Sequence, residues 1–446
     1  MDNKKYTNIE NKTVAFLTLG CKVNSYETEA MQSLLVQAGA QVTEFHEVAD
    51  IYIVNTCSVT NMADRKSRQM LHRARKNNPQ AVIVAAGCYA QTANVEVLKE
   101  NGIDVIVGNN QKKEIVEILN AYLEGTENTR LDIGKETEYE ELQLDTQVEN
   151  TRAYVKIQDG CNQFCSYCII PYARGRIRSR KHDDVVEEVK RLAGAGYQEV
   201  VLTGIHLSSY GQPAKEGQQP LLELIKDLDA VPGIHRIRLG SLEPRIITEE
   251  FVKALVGYKS VCPHFHLSLQ SGCDSVLKRM NRKYTTKEYA KSVELLKKYY
   301  EAPAITTDII VGFPQETEEE FDTTCAFAKE IGFSKIHVFK YSRRQGTVAD
   351  KMNGQVPEQT KNERSDKLLQ LEAKLGYAYR EAMLATKQTV LFEESNMVDG
   401  KLCQVGYNER YVRIAVETQE DLSNQRREVR VLSLAKEAET VFAELI

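Results

Sequence analysis

Ile157-Gln-Asp-Gly-Cys161-Asn-Gln-Phe-Cys165-Ser-Tyr-Cys168 sets three cysteines at C-x3-C-x2-C spacing. Three thiolates in one loop can hold three corners of a cubane [4Fe–4S] cluster, whose four irons ordinarily take four cysteines. The fourth iron then stays open to a substrate or cofactor that chelates it, whereas a cluster closed by four cysteines only passes electrons. The competing reading is a zinc site with a distant fourth ligand. Zinc motifs, however, usually run as C-x2-C pairs with a second pair or a His pair downstream. A secreted disulfide framework is disfavoured by the start Met1-Asp-Asn-Lys-Lys5, which carries no secretory signal.

Around this loop, apolar runs alternate with helical periodicity. Strands are predicted at Tyr154–Ile157, Glu199–Thr203, Arg236–Leu239, Phe265–Leu269, Ile305–Val311 and Lys335–Phe339, with helices such as Asp183–Ala193, Leu221–Leu228 and Glu318–Ile331 between them. Their ends carry Thr203-Gly204, Gly240-Ser-Leu-Glu243-Pro, Gln270-Ser-Gly and Gly312-Phe-Pro314. In a β/α barrel such positions face the reaction site, although Gly and Pro also punctuate ordinary loops.

Before the loop, Thr13–Leu19, Ile51–Val54, Ala81–Ala86 and Asp104–Val107 read as buried parallel strands of an open α/β sheet. Three of these strands lead into a cysteine, at Gly20-Cys21, Thr56-Cys57 and Gly87-Cys88. Parallel strands point their carboxyl ends to one edge, so Cys21, Cys57 and Cys88 are expected to converge there. Any one of them alone reads as a small buried hydrophobe. Three at equivalent strand ends, two after glycine, read as ligands of a second incomplete cluster.

Composition bounds the rest. A chain of 446 residues predicts two or three domains. Hydrophobic residues at 42% and charged residues at 27% fit a soluble globular protein, and no apolar run is long enough for a bilayer. Ten cysteines without a leader suggest a reducing compartment, hence the cytoplasm. A net charge of −5 excludes coating nucleic acid by bulk charge but leaves local patches. Three basic runs are read as an RNA-facing rim: Arg174-Gly-Arg176-Ile-Arg178-Ser-Arg180-Lys181, Lys278–Lys283 and Arg65–Lys76. Past Pro357 comes a connecting helix carrying Leu368, Leu371 and Leu375, then short alternating segments that fit a small antiparallel barrel.

The Cys161 loop resembles that of the radical S-adenosylmethionine (SAM) enzymes. There the open iron is chelated by SAM, and one electron splits SAM into methionine and a 5′-deoxyadenosyl radical. Thr18-Leu-Gly-Cys21-Lys-Val-Asn24, Asn55-Thr-Cys57-Ser-Val-Thr60 and Gly87-Cys88-Tyr-Ala-Gln91 resemble the N-terminal domain of the methylthiotransferases. The resemblance implies two [4Fe–4S] clusters: an auxiliary one on Cys21, Cys57 and Cys88, and the radical one on Cys161, Cys165 and Cys168. It also implies an open six-unit (β/α)6 barrel, with Gly204, Glu243, Gln270 and Asp308 binding SAM. The family commonly has Gly where this chain has Gln315, which can alter that turn. The run Val405-Gly-Tyr-Asn-Glu-Arg-Tyr-Val412 resembles a TRAM domain, a substrate-binding module. Nine Lys/Arg against twelve Asp/Glu over residues 376–446 point to contacts there by aromatics and a few placed arginines.

The expected organisation is an α/β multidomain chain. It comprises an open parallel sheet over 1–125, a mobile acidic linker over 126–149, the partial barrel over 150–356, a helix over 357–375 and the TRAM β-barrel over 376–446. Among the family's branches, Lys22 and the run Ile169-Ile-Pro-Tyr-Ala-Arg-Gly175 look most like the one acting on N6-threonylcarbamoyladenosine (t6A); the ribosomal-protein branch usually has Pro at the place of Lys22. The expected activity is methylthiolation of t6A at position 37 of tRNA at C-2. The partners are a t6A-bearing anticodon stem-loop, an electron donor such as a flavodoxin or ferredoxin, and a sulfur donor, with no membrane. Alternatives are the isopentenyladenosine branch, the ribosomal-protein aspartate branch, and a non-catalytic RNA-binding iron–sulfur redox sensor.

Overall fold

The computed structural model describes residues 8–126, 132–143, 151–436 and 439–446. In the first domain, β1 (Thr13–Thr18), β2 (Gln41–Thr43), β3 (Ile51–Thr56), β4 (Val82–Ala86) and β5 (Val105–Val107) form a parallel sheet in the order β2-β1-β3-β4-β5. Its central strands are apolar on both faces because both are covered. Helices α1 (Lys22–Gln37) and α5 (Ile115–Leu123) bury Met31, Leu35, Ile115 and Leu119 against Ile51, Ile53 and Val84. On the other face α2 (Asn61–Asn77) packs Leu71 and Ala74 against Tyr52, Val54 and Ile83. Two short helices, α3 (Gly87–Thr92) and α4 (Val95–Glu100), separate β4 from β5. The three-residue edge strand β2, with Gln41 and Val42 exposed, escapes a periodicity reading because it buries no apolar run.

All six expected strands of the central domain form. They are β6 (Arg152–Asp159), β8 (Glu199–Gly204), β9 (Arg236–Leu239), β10 (His264–His266), β11 (Ala304–Val311) and β12 (Lys335–Lys340). A two-residue strand, β7 (Arg178–Ser179), adds antiparallel to the free edge of β6. The parallel pairs β6-β8-β9 and β10-β11-β12 join through bridges at Ile237–Val261 and Leu242–Leu267, giving an open six-stranded arc. Helices α6 (Ile170–Arg174), α7 (His182–Gly194), α8 (Pro220–Asp229), α9 (Glu249–Val256), α10 (Asp274–Arg279), α11 (Thr286–Tyr299) and α12 (Glu318–Ile331) fill the connections.

Strand alternation sorts the side chains. Val155, Ile157, Val200, Leu202, Ile237, Phe265, Ile305, Ile309 and Ile336 enter the helix-side core. Their neighbours Lys156, Glu199, Arg236, Arg238, His264, His266, Asp308 and His337 therefore project to the inner face of the arc. The lumen is polar and charged.

Helix α13 (Glu358–Glu381) runs six residues beyond the expected end at 375. Gly376 lies inside the helix as a contact point. A Cβ there would lie 3.2 Å from the Ser334 carbonyl oxygen. The last domain is a closed barrel of β13 (Lys387–Val398), β14 (Lys401–Asn408), β15 (Arg413–Val416), β16 (Arg426–Leu434) and β17 (Thr440–Leu445), in the order β13-β14-β15-β17-β16. One pair, β15–β17, is parallel and the others are antiparallel. Cys403 packs with Val398, Val405 and Ala415 in a small cluster separate from the barrel's core, on the other face of the strands.

The expected acidic linker falls partly outside the described residues. Its part at 132–143 does not behave as a free tether. Tyr139 donates to the Lys156 carbonyl at 2.8 Å, Glu140 accepts from the Lys113 amide at 2.9 Å, and the Leu142 carbonyl accepts from Tyr26 at 2.5 Å. Glu141 pairs with Arg180. The segment is thus tied to both flanking domains, with Glu141 taken by the Arg180 cation and Glu140 by a backbone amide.

Candidate active site

The loop after β6 carries Cys161, Cys165 and Cys168. All ten cysteines of the chain are free thiols. Burial pushes Cys161 up to about 11, and burial with the charge of Cys165 pushes Cys168 up to about 12. Each thiol of this loop lies close enough to feel the others. Burial alone keeps such thiols protonated, so what marks them as a ligand set is their spacing in one loop and the donors around them. The Gln163 amide donates to Cys161 Sγ at 3.5 Å, and Arg282 Nη1 donates to Cys165 Sγ at 3.2 Å. A guanidinium against a thiolate offsets the negative charge that a cluster would bring. Three thiols in one loop with these donors beside them fit an iron–sulfur cluster held by three cysteines.

Cys21, Cys57 and Cys88 also come together, at the carboxyl edge of the first sheet. Cys21 caps α1, Cys57 follows β3, and Cys88 opens α3. The glycines before two of them permit the approach. At Gly20, φ is +110° and a Cβ would lie 3.0 Å from Cys57 Sγ. At Gly87, φ is +86° and a Cβ would lie 2.4 Å from Asn55 Oδ1. Burial raises the Cys21 thiol and pushes Cys57 up to about 11; the Cys88 thiol adds to both. Asn109 Nδ2 lies 3.8 Å from Cys88 Sγ.

Both triads border one seam. Helix α6, just after Cys168, packs on α3, and Asn109 Nδ2 donates to the Ala173 carbonyl at 2.7 Å. Arg174 Nη1 is 2.8 Å from Glu27 Oε1 and 3.1 Å from Asp159 Oδ2, while its Nη2 donates to Asn24 Oδ1 at 2.8 Å. Lys156 joins Glu27 and Asp159 at 2.7 Å each, and Lys112 reaches Glu27 at 3.2 Å. Every one of these charged groups is buried. On the far side of the arc, Arg344 donates to Ser58 and Asn61 at 2.8 and 2.9 Å and pairs with Asp64 at 2.8 Å. The edge bearing Cys21, Cys57 and Cys88 thus reaches from the end of β6 to the end of β12, across the open side of the barrel.

Of the four other expected site residues, Gly204, Glu243 and Gln270 sit at or just past the carboxyl ends of their strands, and Asp308 lies within β11. Gly204 ends β8 against Gln158. Glu243 lies beside the cysteine loop, 3.4 Å from Gln163 Nε2 and from His206 Nε2. Burial opposes its ionisation, yet His206, Arg245 and Arg282 hold its carboxyl below the usual range. Gln270, at φ +73°, exchanges backbone hydrogen bonds with Asp308 and Ile310 of β11. Asp308 lies deeper, 3.3 Å from His266 Nε2, and the ligand atoms of His266, Asp308 and His337 fall within 4.8 Å of one another. Gln315, where the family commonly has Gly, occupies φ +66°, a backbone region that favours glycine.

The basic loop needs correction. Arg174, Arg178 and Arg180 are buried, and Arg180 is ion-paired with Glu141 and Glu188, so only Arg176 and Lys181 of that run face solvent. Arg279 pairs with Glu320 at 2.9 Å, and Arg282 serves the cysteine loop. The acids that neutralise them are remote in sequence, which is why the runs read as surface. Helix α2 keeps its exposed cations Arg65, Lys66, Arg68, Arg73 and Lys76. In the C-terminal barrel Tyr407 and Tyr411, two aromatics of the run that resembles a TRAM domain, stack on each other at 4.9 Å under Arg152 and Arg238. They serve the domain junction. The sequence alone does not single out Asn109, Arg344 or His206; only their neighbours in space mark them.

Comparison with known proteins agrees with this geometry. Residues 155–328 match the radical SAM superfamily, and residues 13–108 match a family described as uncharacterized protein family UPF0004. The chain is 43% identical over 433 residues to the threonylcarbamoyladenosine tRNA methylthiotransferase MtaB of Bacillus subtilis (strain 168), covering 94% of each chain. It is 34% identical to a tRNA-2-methylthio-N(6)-dimethylallyladenosine synthase of Caldicellulosiruptor saccharolyticus, over 89% of this chain and 86% of that one. Among solved structures it resembles the radical SAM methyltransferase TsrM of Kitasatospora setae, with a TM-score of 0.56 at 16% identity over 74% of this chain and 73% of that one, a likeness of fold. With two cysteine-bearing edges meeting across an open six-stranded barrel and this identity over nearly its whole length, the chain belongs to the threonylcarbamoyladenosine tRNA methylthiotransferases of the radical SAM superfamily.

Proposed function

We propose that this protein converts t6A at position 37 of tRNA to its 2-methylthio derivative. The observation that carries the reading is the meeting of two cysteine triads across the open side of one barrel. Adenine C-2 carries a hydrogen that is neither acidic nor attached to an electrophilic carbon, so acid–base chemistry alone does not replace it with sulfur. When bound, SAM and its [4Fe–4S] cluster supply a radical for that bond, and a second cluster supplies a place for sulfur. Cys161, Cys165 and Cys168 hold the first cluster in this reading, and Arg282 balances its charge. Cys21, Cys57 and Cys88 hold the second, with Asn109 donating toward Cys88.

In this reading SAM lies along Gly204, Glu243 and Gln270 at the rim, with Asp308 below them. The buried Arg174–Glu27 network keeps the two edges in register, as a reaction at one carbon between two centres requires. The base leaves the anticodon-loop stack to enter, a step that costs least in a single-stranded loop. The C-terminal barrel is read as a TRAM module, with one face spent on docking to the central domain and the rest free for RNA. No helix of the described residues is long and apolar enough to cross a membrane. A cytoplasmic location is part of this reading, carried by the ten cysteines and the tRNA substrate. A reductant such as a flavodoxin or ferredoxin and a sulfur donor complete the scheme.

Mass spectrometry of nucleosides tests it. Reconstituted, reduced protein with SAM and sulfide should methylthiolate t6A-tRNA and leave isopentenyladenosine-tRNA unchanged. Product on the isopentenyl form alone would transfer the chain to that branch.

A further inference from the structure

Lys22 follows Cys21 directly and opens α1, which lies against β6. Its side chain enters the lower lumen, with Nζ 6.0 Å from the Tyr154 ring and 5.6 Å from the Tyr411 ring. The charges around it are unbalanced. Arg152, Arg236 and Arg238 stand beside Glu199 and Glu393, and both carboxylates are already taken. Glu199 Oε1 is 2.9 Å from Arg238 Nε, with Arg236 at 3.5 Å, and Glu393 is 2.8 Å from Arg152. Among the described residues no carboxylate comes within 4.0 Å of Lys22 Nζ. Four cations therefore share two anions in a half-buried recess.

A second group points the same way. His264 is 6% exposed and lies against the same Tyr411 ring at 5.2 Å, close enough to sense the Lys22 charge. Its Nε2 is 3.4 Å from Thr306 Oγ1, but its Nδ1 has no hydrogen-bond partner. A buried ring nitrogen without a partner is costly unless a ligand completes it, and the half-buried ammonium nearby, set between two tyrosine rings with no carboxylate, adds a positive charge to the same recess. The ligand that suits both is an anion with acceptor oxygens.

Resting on the t6A reading, we propose that Lys22, with His264 Nδ1 as second contact, binds the carboxylate of the threonyl group and so selects t6A over bases with an apolar N6 substituent. The reacting C-2 must sit between the triads, and Lys22 is one residue from Cys21, so a substituent running down the lumen from N6 meets the ammonium. An isopentenyl group at the same place would leave the cation excess unneutralised and shield it from water, which is discrimination by an unpaired charge.

The test compares anticodon stem-loop RNAs on anaerobically reconstituted protein by fluorescence anisotropy. One carries t6A, one its carboxamide, and one unmodified adenosine. The wild type should bind t6A about 10- to 100-fold tighter than the carboxamide. Lys22→Gln should bind both at the carboxamide's affinity and bind unmodified RNA as the wild type does. Equal wild-type affinity for t6A and carboxamide overturns the proposal, and an equal loss on all three RNAs makes Lys22 a phosphate contact instead. A readout that needs no variant is acylation: an active ester of the t6A carboxylate should modify Lys22 of the wild type, its amine displacing the leaving alcohol. Adducts confined to other lysines overturn it. If the wild type methylthiolates t6A-RNA without this discrimination, only the Lys22 assignment fails; if t6A-RNA is never a substrate, the broader reading fails.

Discussion

The Arg174 guanidinium lies 2.8 Å from the Glu27 carboxylate, joining the helix behind one cysteine triad to the helix that Cys21 caps. Burial acts against ionised Glu27, but Arg174, Lys112 and Lys156 together hold its carboxyl well below the usual range. Removing one member of such a cluster strands the others. Arg174→Gln should lose about 3–5 kcal/mol, seen as a lower unfolding midpoint and faster proteolysis near the seam. Because the folded-state value of Glu27 is depressed, its contribution is present above the unfolded carboxylate range and is lost as pH falls below it. The gap between wild type and Glu27→Gln should therefore close on acidification from pH 7 toward pH 3. An unchanged midpoint for Arg174→Gln would show that the seam does not depend on this network.

The two triads should be separable. Reconstituted wild type is expected to carry about eight irons, and either triple Cys→Ala variant about half of that. The Cys21/Cys57/Cys88 variant should still release 5′-deoxyadenosine from SAM after reduction but form no methylthio nucleoside. The Cys161/Cys165/Cys168 variant should lose both products. Normal methylthiolation by the first variant would reduce those cysteines to core packing.

Arg282 donates to Cys165 Sγ and is itself fixed by Tyr284 at 2.9 Å. Partners one step behind a metal ligand typically matter about 10- to 100-fold in metal retention. Arg282→Met should release iron from the barrel cluster to a chelator faster by that order, with the auxiliary cluster unaffected. Equal release from both clusters, or none, would remove Arg282 from the site.

Much of this architecture is legible in the sequence because burial leaves periodic traces. The apolar runs at Ile51, Val82 and Val105 fit only two-faced strands, and a parallel sheet brings its carboxyl ends together, so the convergence of Cys21, Cys57 and Cys88 follows from strand order alone. The charges are not legible in this way. Arg174, Arg178 and Arg180 read as a polyanion-binding run because their acids, Glu27, Asp159, Glu141 and Glu188, lie on other elements. Lys22 reads in the sequence as a branch marker and nothing more. Its surroundings, Tyr154, Tyr411 and Arg238, come from two other domains and meet only on folding.

Glu29, two residues from Glu27, shows the opposite electrostatics. Burial pushes its carboxyl up to about 7. A raised acid pKa costs nothing below the unfolded value near 4.5, since both states are protonated. The cost grows between about 4.5 and 7 and is complete above. Glu29→Gln should thus stabilise the protein at pH 8, by about 1–2 kcal/mol after allowance for solvent screening, and leave it unchanged at pH 4. Thermal unfolding at the two pH values checks this. Equal shifts at both would mean that the effect is packing.

Arg174, Arg178, Arg180, Arg279 and Arg282 are taken by acids or by the cysteine loop, which leaves Arg176, Lys181, Lys278 and Lys283 of those runs in solvent. By contrast, α2 presents five exposed cations to the tRNA backbone on one helix. Its inner side buries Ser67, Leu71 and Ala74, while Arg65, Lys66, Arg68, Arg73 and Lys76 face outward. None of these five pairs with a carboxylate among the described residues. The helix starts beside the seam, where Asp64 meets Arg344 and Ser58 adjoins Cys57. It can therefore hold phosphates near the base that enters. Contacts to phosphate carry no base information, and each one releases counterions. Arg65→Gln, Arg68→Gln and Arg73→Gln combined should weaken binding alike for t6A and unmodified RNA. They should also flatten the dependence of log affinity on log salt by about one for each phosphate no longer neutralised. That uniform loss contrasts with the t6A-selective loss expected at Lys22. Affinities measured across a potassium chloride series decide it: an unaltered slope would leave α2 as a solvated face and move the backbone contact to the C-terminal barrel.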